Sequence, residues 1–237
     1  MKTITFTRVK ILVIAILMSG PVFAQDKPAF TITPSADLVS NYVWRGVYQS
    51  GVSIQPSLTA SWNGLSLSAW GSTDFSTLGK EFDLTLGYEN SGFLVAVTDY
   101  WWEGEGFRYG DYSKYHYFEG TIGYHFGEKV PLGLMWNTMF GMDGDRNEKG
   151  EKMYSTYIEA TYDFSVKDIY LTAAIGVSPW TGMYHREGKD GFALCAISLR
   201  VTKDLKITNS FELPIFVEAT VAPNQDNVFL TFGLTIQ

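Results

Sequence analysis

The chain has 237 residues, enough for one or two domains, and is 46% hydrophobic, 16% aromatic and only 18% charged. A disordered chain would be poor in aromatic and β-branched residues, so this composition excludes one. A single cysteine, Cys195, excludes an intramolecular disulfide framework or a Cys-cluster metal site, and a net charge of −7 leaves no basic field for nucleic acid.

Residues 1–24 read as a secretory leader. Lys2, Arg8 and Lys10 form a positive start, residues 11–18 are apolar, and Val22 and Ala24 fit the small-residue cleavage rule. The apolar run is too short to span a bilayer, which takes about 20 residues. Cleavage would leave a mature chain of residues 25–237, more acidic than the precursor, as a single domain. No later stretch is long and apolar enough for a membrane helix. If the mature chain lies in a membrane, it must be a closed β-barrel, the other backbone arrangement that leaves no polar group bare in lipid.

The mature chain alternates with period two, the mark of strands with two different faces. Val52, Ile54, Pro56, Leu58, Ala60 and Trp62 interleave with Ser53, Gln55, Ser57, Thr59 and Ser61, and the pattern returns in Val228, Leu230, Phe232, Leu234 and Ile236. Twelve strands are predicted, near 33–45, 51–62, 65–75, 80–89, 92–102, 114–126, 131–142, 152–164, 168–177, 191–201, 204–213 and 227–237. Ten or fourteen are the alternatives if two doubly apolar segments merge or residues 214–221 add a hairpin.

The connectors alternate between short and long. Asn63-Gly64 is the strongest two-residue hairpin signal, since both positions must accept positive φ. Asn90-Ser91, residues 127–130, residues 165–167 and Lys203-Asp204 are also short. Residues 46–50, 76–79, 103–113, 143–151, 178–190 and 214–226 are mostly longer and more polar. This sorting matches an outer-membrane barrel with tight periplasmic turns and longer external loops. Tyr42, Trp44, Trp62, Tyr88, Trp101, Trp102, Tyr124, Phe126, Tyr162 and Phe164 gather toward strand ends, a placement that suits interfacial girdles. The expected fold is therefore all-β: a single antiparallel up-and-down transmembrane barrel.

Strand parity then assigns the interior. Asp37, Asn41, Arg45, Asp83, Glu89, Glu119, Glu159, Asp163, Lys206 and Glu212 share the inward parity. Arg200 joins them if Cys195, Ile197 and Leu199 face outward. These are the candidate pore-lining residues. A charge in lipid at midplane costs about 2–4 kcal/mol for Arg or Lys, so charges confined to one parity indicate an enclosed polar lumen. That lumen is either a water-filled pore with a weak cation preference or a closed one packed by ion pairs, such as Arg45 with a carboxylate.

Residues 40–50 read S-N-Y-V-W-R-G-V-Y-Q-S. This resembles the opening signature of the TorF-like family of bacterial outer-membrane proteins, with a motif like S-D-Y-x-x-R-G-x-x-Q-S. Tyr42, Arg45, Gly46, Gln49 and Ser50 match, and Asn41 replaces the usual Asp. The similarity continues through Gln55, residues 64–75, 81–88, Asp99 to Trp101 and Tyr117 to Gly120. The resemblance implies an outer-membrane barrel, with a channel as one option, and no activity that carries over to residues.

Catalytic constellations are thin. His116 has outward parity, His125 lies inward near the turn-bearing rim and His185 sits in a loop; none has a serine two residues on, and no His-Glu-x-x-His occurs. Asp143-Gly-Asp145-Arg-Asn147 fails as a Ca²⁺ loop, because Glu148 stands where Gly is needed and Tyr154 where the bidentate Glu belongs. The chain is expected to be no enzyme and to need no cofactor or metal. It is expected in the outer membrane, meeting lipid, small hydrophilic solutes or ions, periplasmic chaperones and the barrel-insertion machinery. Passive passage of those solutes is the expected function. The alternative is a closed barrel whose external loops, residues 107–112 and 180–184 among them, bind a ligand or partner.

Overall fold

The structure is a computed structural model that describes residues 30–76, 80–102, 108–112, 115–141, 144–209 and 211–237. The expected leader (residues 1–24) and the Gly-rich segment 103–106 lie outside the described residues. The strands are β1 (Thr31–Val39), β2 (Tyr42–Trp44), β3 (Val47–Ser50), β4 (Ser53–Trp62), β5 (Leu65–Asp74), β6 (Lys80–Asn90), β7 (Phe93–Trp102) and β8 (His116–His125). They continue as β9 (Leu132–Phe140), β10 (Thr156–Val166), β11 (Ile169–Ser178), β12 (Ala193–Lys206), β13 (Glu212–Ala222) and β14 (Asn227–Ile236). Twelve of them, β1 and β4 to β14, pair in chain order into one closed antiparallel barrel. β1 closes the ring against β14, from Ala36 opposite Ile236 to Val39 opposite Gly233.

Alternation becomes two faces. Outward side chains are apolar and exposed, with Leu86 at 58%, Ile122 at 57% and Leu230 at 54% of full exposure. Inward ones are polar and buried: Thr59, Asp83, Glu119 and Asn137 are each at most 1% exposed. Polar side chains pair across the inner wall, Thr85 with Thr98 at 3.0 Å and Thr121 with Asn137 at 2.8 Å. Trp62, Tyr88, Tyr124, Tyr162 and Tyr170 ring the exterior at the end that carries the tight turns, whereas Tyr42, Trp44 and Trp102, expected in the girdles, meet other rings inside the barrel. This inverts an ordinary soluble domain, which puts its apolar face inside.

Turn chemistry follows the backbone. Asn63 (φ 48°) and Gly64 (φ 84°) make the expected tight β4–β5 turn. The β6–β7 turn is Ser91-Gly92 (φ 52° and 85°), one residue later than the expected Asn90-Ser91.

Two expectations are corrected. The predicted strand 33–45 ends at Val39, and residues 42–50, read as its end plus an external loop, form a separate two-stranded hairpin, β2–β3. Its turn is Arg45-Gly46, both at positive φ (54° and 82°), so the sequence carries a second hairpin signal that the search for Asn-Gly missed. Near the other end, Lys203-Asp204 is no turn: β12 runs on to Lys206, and the eleventh barrel strand is β13, where residues 214–226 were read as loop. Pro214 misled that reading; it lies near the start of β13, opposite Asp204, where a missing N–H is tolerated.

Candidate functional site

The β2–β3 hairpin lies inside the barrel. Its pairs are Trp44 with Val47, Val43 with Tyr48 and Tyr42 with Ser50, the last across a bulge. The Trp44 ring sits 5.5 Å from Tyr100, 5.7 Å from Trp102 and 5.5 Å from Tyr184. The tip reaches the wall: a Cβ on Gly46 would stand 2.2 Å from the Cys195 carbonyl oxygen of β12 and 3.4 Å from Ala222 of β13. Only a glycine fits between that backbone and a left-handed turn. Gly46→Ala is expected to lower stability by at least the ~1–2 kcal/mol of left-handed strain, with the backbone clash adding to it. Urea unfolding in micelles checks this.

Arg45 is the pin. Nη1 donates to Glu119 Oε2 at 2.5 Å and Nη2 to Oε1 at 2.9 Å, a two-pronged ion pair. Nη1 also bonds the Tyr184 hydroxyl, and Tyr100 donates to Glu119 at 2.9 Å. The guanidinium stacks on Trp44, Tyr157 and Tyr184, 4.7, 4.9 and 5.3 Å from the ring centres. The pair is almost fully enclosed, at 5% and 1% side-chain exposure. A second anchor is the Tyr42 hydroxyl on the Glu81 carboxylate.

Tyr184 arrives from the external loop of residues 179–192, which also turns inward. Asn224 and Gln225 donate to its carbonyl at 2.8 and 3.0 Å. The Met183 amide donates to Ser155 Oγ at 2.7 Å, and the Ser155 amide to Asp145 at 2.8 Å. Trp180 Nε1 donates to the Tyr154 carbonyl at 3.0 Å. Three external loops are thus tied over the hairpin. Asp145 is an anchor inside this cap, while Asp143 lies outside the described residues.

The other expected lumen residues distribute along the wall. Asp37 is buried and accepts from Thr235 at 2.6 Å. Asn41 stands where the chain leaves the wall and, with Arg200 and Glu218, borders a side space. Arg200 bonds Glu218 at 3.5 Å and lies 3.5 Å over the Phe216 ring. Asp83 is buried on the inner wall. Glu89 and Asp163 are half-buried nearer the tight turns, Asp163 accepting from Thr172 at 2.6 Å. Lys206 and Glu212 face each other in register at the exposed β12–β13 end, at the mouth of the barrel. Arg45, Glu119 and Glu159 border one space on the turn side of the hairpin.

Cys195 corrects one condition. Ile197 and Leu199 do face outward, but the register shifts at Gly176/Val177, making Cys195 an extra residue of β12 that is buried against the hairpin tip. Glu218, Tyr100, Tyr157 and Tyr184 were missed. Glu218 and Tyr184 fell in segments read as loop, and an inward Tyr100 or Tyr157 reads the same as an outward tyrosine until parity is applied strictly.

His116, on the outward parity, is fully buried under the loop of residues 108–112. Its Nδ1 lies 2.7 Å from Asp99, its Nε2 2.5 Å from the Tyr109 carbonyl, and Tyr112 stacks on it at 3.8 Å. His185 accepts from the Gly182 amide and bonds the Gly191 carbonyl, fastening its own loop. His125 accepts from the Gly127 amide at 3.2 Å beside the β8–β9 turn. No grouping of three or more His, Cys, Asp or Glu that could hold a metal ion occurs among the described residues.

No curated protein matches the chain. A family model described as "Bacterial protein of unknown function (Gcw_chp)" matches residues 24–204, which take in the hairpin, its Glu119 partner and the barrel wall through most of β12, and the chain belongs to that family.

Proposed function

We propose that this chain is an outer-membrane barrel that rests closed and passes small hydrophilic solutes or ions when the β2–β3 hairpin leaves the lumen. The observation that carries it is a polar-walled barrel with an apolar exterior whose hairpin stands outside the wall's hydrogen-bond ladder. Lipid is the solvent such an exterior suits. The leader-like residues 1–24 and the resemblance of residues 40–50 to TorF-like outer-membrane proteins support export to that membrane. In this reading the chain performs no catalytic step and needs no cofactor. Its partners are lipid, the solute, and the chaperones and insertion machinery that deliver it.

The lumen keeps an acidic bias. Glu119 and Glu218 are paired with Arg45 and Arg200, and Glu159 and Asp163 add further carboxylates to the wall. The protein comprising residues 25–237, in a planar bilayer under a salt gradient, is expected to give infrequent small steps with a cation-sided reversal potential. Steady porin-sized conductance would overturn the closed resting state, and an anion-sided potential the selectivity. A second reading, a barrel acting through its loops, is favoured by the tied external cap, which presents a fixed surface. A membrane that stays silent after confirmed insertion, even with Arg45 replaced, would decide for it.

A further inference from the structure

Three carboxylates border the space on the turn side of the hairpin: Glu119, Glu159 and Glu218. Two have a resident cation, and each cation is stacked on aromatic rings: Arg45 for Glu119 and Arg200 for Glu218. Glu159 has no ion-pair partner among the described residues. It is 6% exposed; Oε2 accepts from the Tyr157 hydroxyl at 3.2 Å, and Oε1 is buried with no hydrogen-bond partner. A buried carboxylate oxygen facing a cavity is costly unless something cationic reaches it.

We infer that this space is a binding site for a small solute carrying a single primary ammonium group, with Glu159 as its counter-charge. Tyr157 already donates to Oε2, so Oε1 is the fully open oxygen, and a single open oxygen favours a compact point charge over a fork that engages both. A divalent metal ion takes six or more oxygens, and one carboxylate falls far short. An ammonium is a compact charge with three donors, and Oε1 can take one of them. Leu94, Ala96 and Ala174 give the remaining wall a short-reaching apolar character, which leaves room for a few carbons of a solute.

The test uses residues 25–237 refolded in neutral detergent micelles, titrated with n-propylammonium chloride by calorimetry and by tryptophan fluorescence, since Trp44 borders the space. Saturable binding is expected, at least tenfold weaker in Glu159→Gln and unchanged in Glu148→Gln on the exposed loop. Methylguanidinium is expected to bind at least tenfold more weakly than propylammonium. Without ligand, Glu159→Gln is expected to melt higher than the native protein, because the bare charge is gone. If Glu159→Gln does not fold, Ala174→Leu, which fills the space and leaves the charge, is expected to abolish binding. Absence of saturable binding to the folded native barrel, equal binding by Glu159→Gln or by Ala174→Leu, or the same response to sodium chloride would each overturn the site. Conduction plays no part in this measurement, so a barrel that binds but never conducts refutes the channel and keeps the site.

Discussion

Arg45→Ala is expected to lower the stability of the barrel by about 3–5 kcal/mol, the usual consequence of removing one partner of a buried ion pair. The substitution strands the Glu119 carboxylate, which keeps the Tyr100 hydroxyl at 2.9 Å and the Tyr184 hydroxyl at 3.4 Å but loses its two guanidinium donors. It also empties the space among the rings of Trp44, Tyr157 and Tyr184. Denaturant titration in lipid vesicles measures the loss. In the Arg45→Ala, Glu119→Gln double variant part of it is expected to return, because the bare charge is removed with its partner. The wall should survive both changes, since β2 and β3 pair with each other and not with the ring. With the hairpin unpinned, conducting events should become more frequent in the bilayer. Unchanged stability and unchanged conductance together would show that Arg45 holds nothing in place.

Leu86→Arg should cost about 2–4 kcal/mol in a bilayer, and the same charge at Val166 about 0–1 kcal/mol. Both side chains point outward and are more than half exposed, Leu86 at 58% and Val166 at 55%, so burial against protein cannot separate them. Depth does: Leu86 lies well inside β6, and Val166 is the last residue of β10, beside the tight turn. Urea titrations of both variants in the same vesicles give the comparison. Equal costs would mean that no apolar slab surrounds the barrel.

The wall of this barrel was legible because alternation is a property of single strands. Each of Ile54, Leu58 and Trp62 on β4 declares its face without reference to any other part of the chain. The β12–β13 boundary was misplaced because a proline at position 214 looks like punctuation when only its own segment is read. The partner that makes it tolerable, Asp204, lies across the turn. The hairpin was hidden for a deeper reason. Residues 40–50 were noticed as a motif, and Arg45 and Glu119 were both placed inward, yet period-two alternation continues through a strand that has left the sheet. Whether such a strand belongs to the wall or to the space it encloses is decided by Gly46 meeting Cys195, about 150 residues away. Pairing Arg45 with Glu119 in particular, among several inward carboxylates, likewise needed the three-dimensional register.

The hairpin also constrains the order in which the molecule can be assembled. Its strands are joined by a two-residue turn and need nothing else to meet, so they can form within about 1–10 μs of becoming free to do so. The contact between Arg45 and Glu119 spans 74 residues, and the β1–β14 seam joins Asp37 to Thr235. Closing loops of that length is slower. The innermost piece is therefore ready long before the cylinder that surrounds it. Growth of the ring from β4 onward proceeds past an object already folded at its start, and the final seam seals it in place. A chain in which that turn formed late would have to fold residues 42–50 inside a cylinder already crowded by the loop that bears Tyr184.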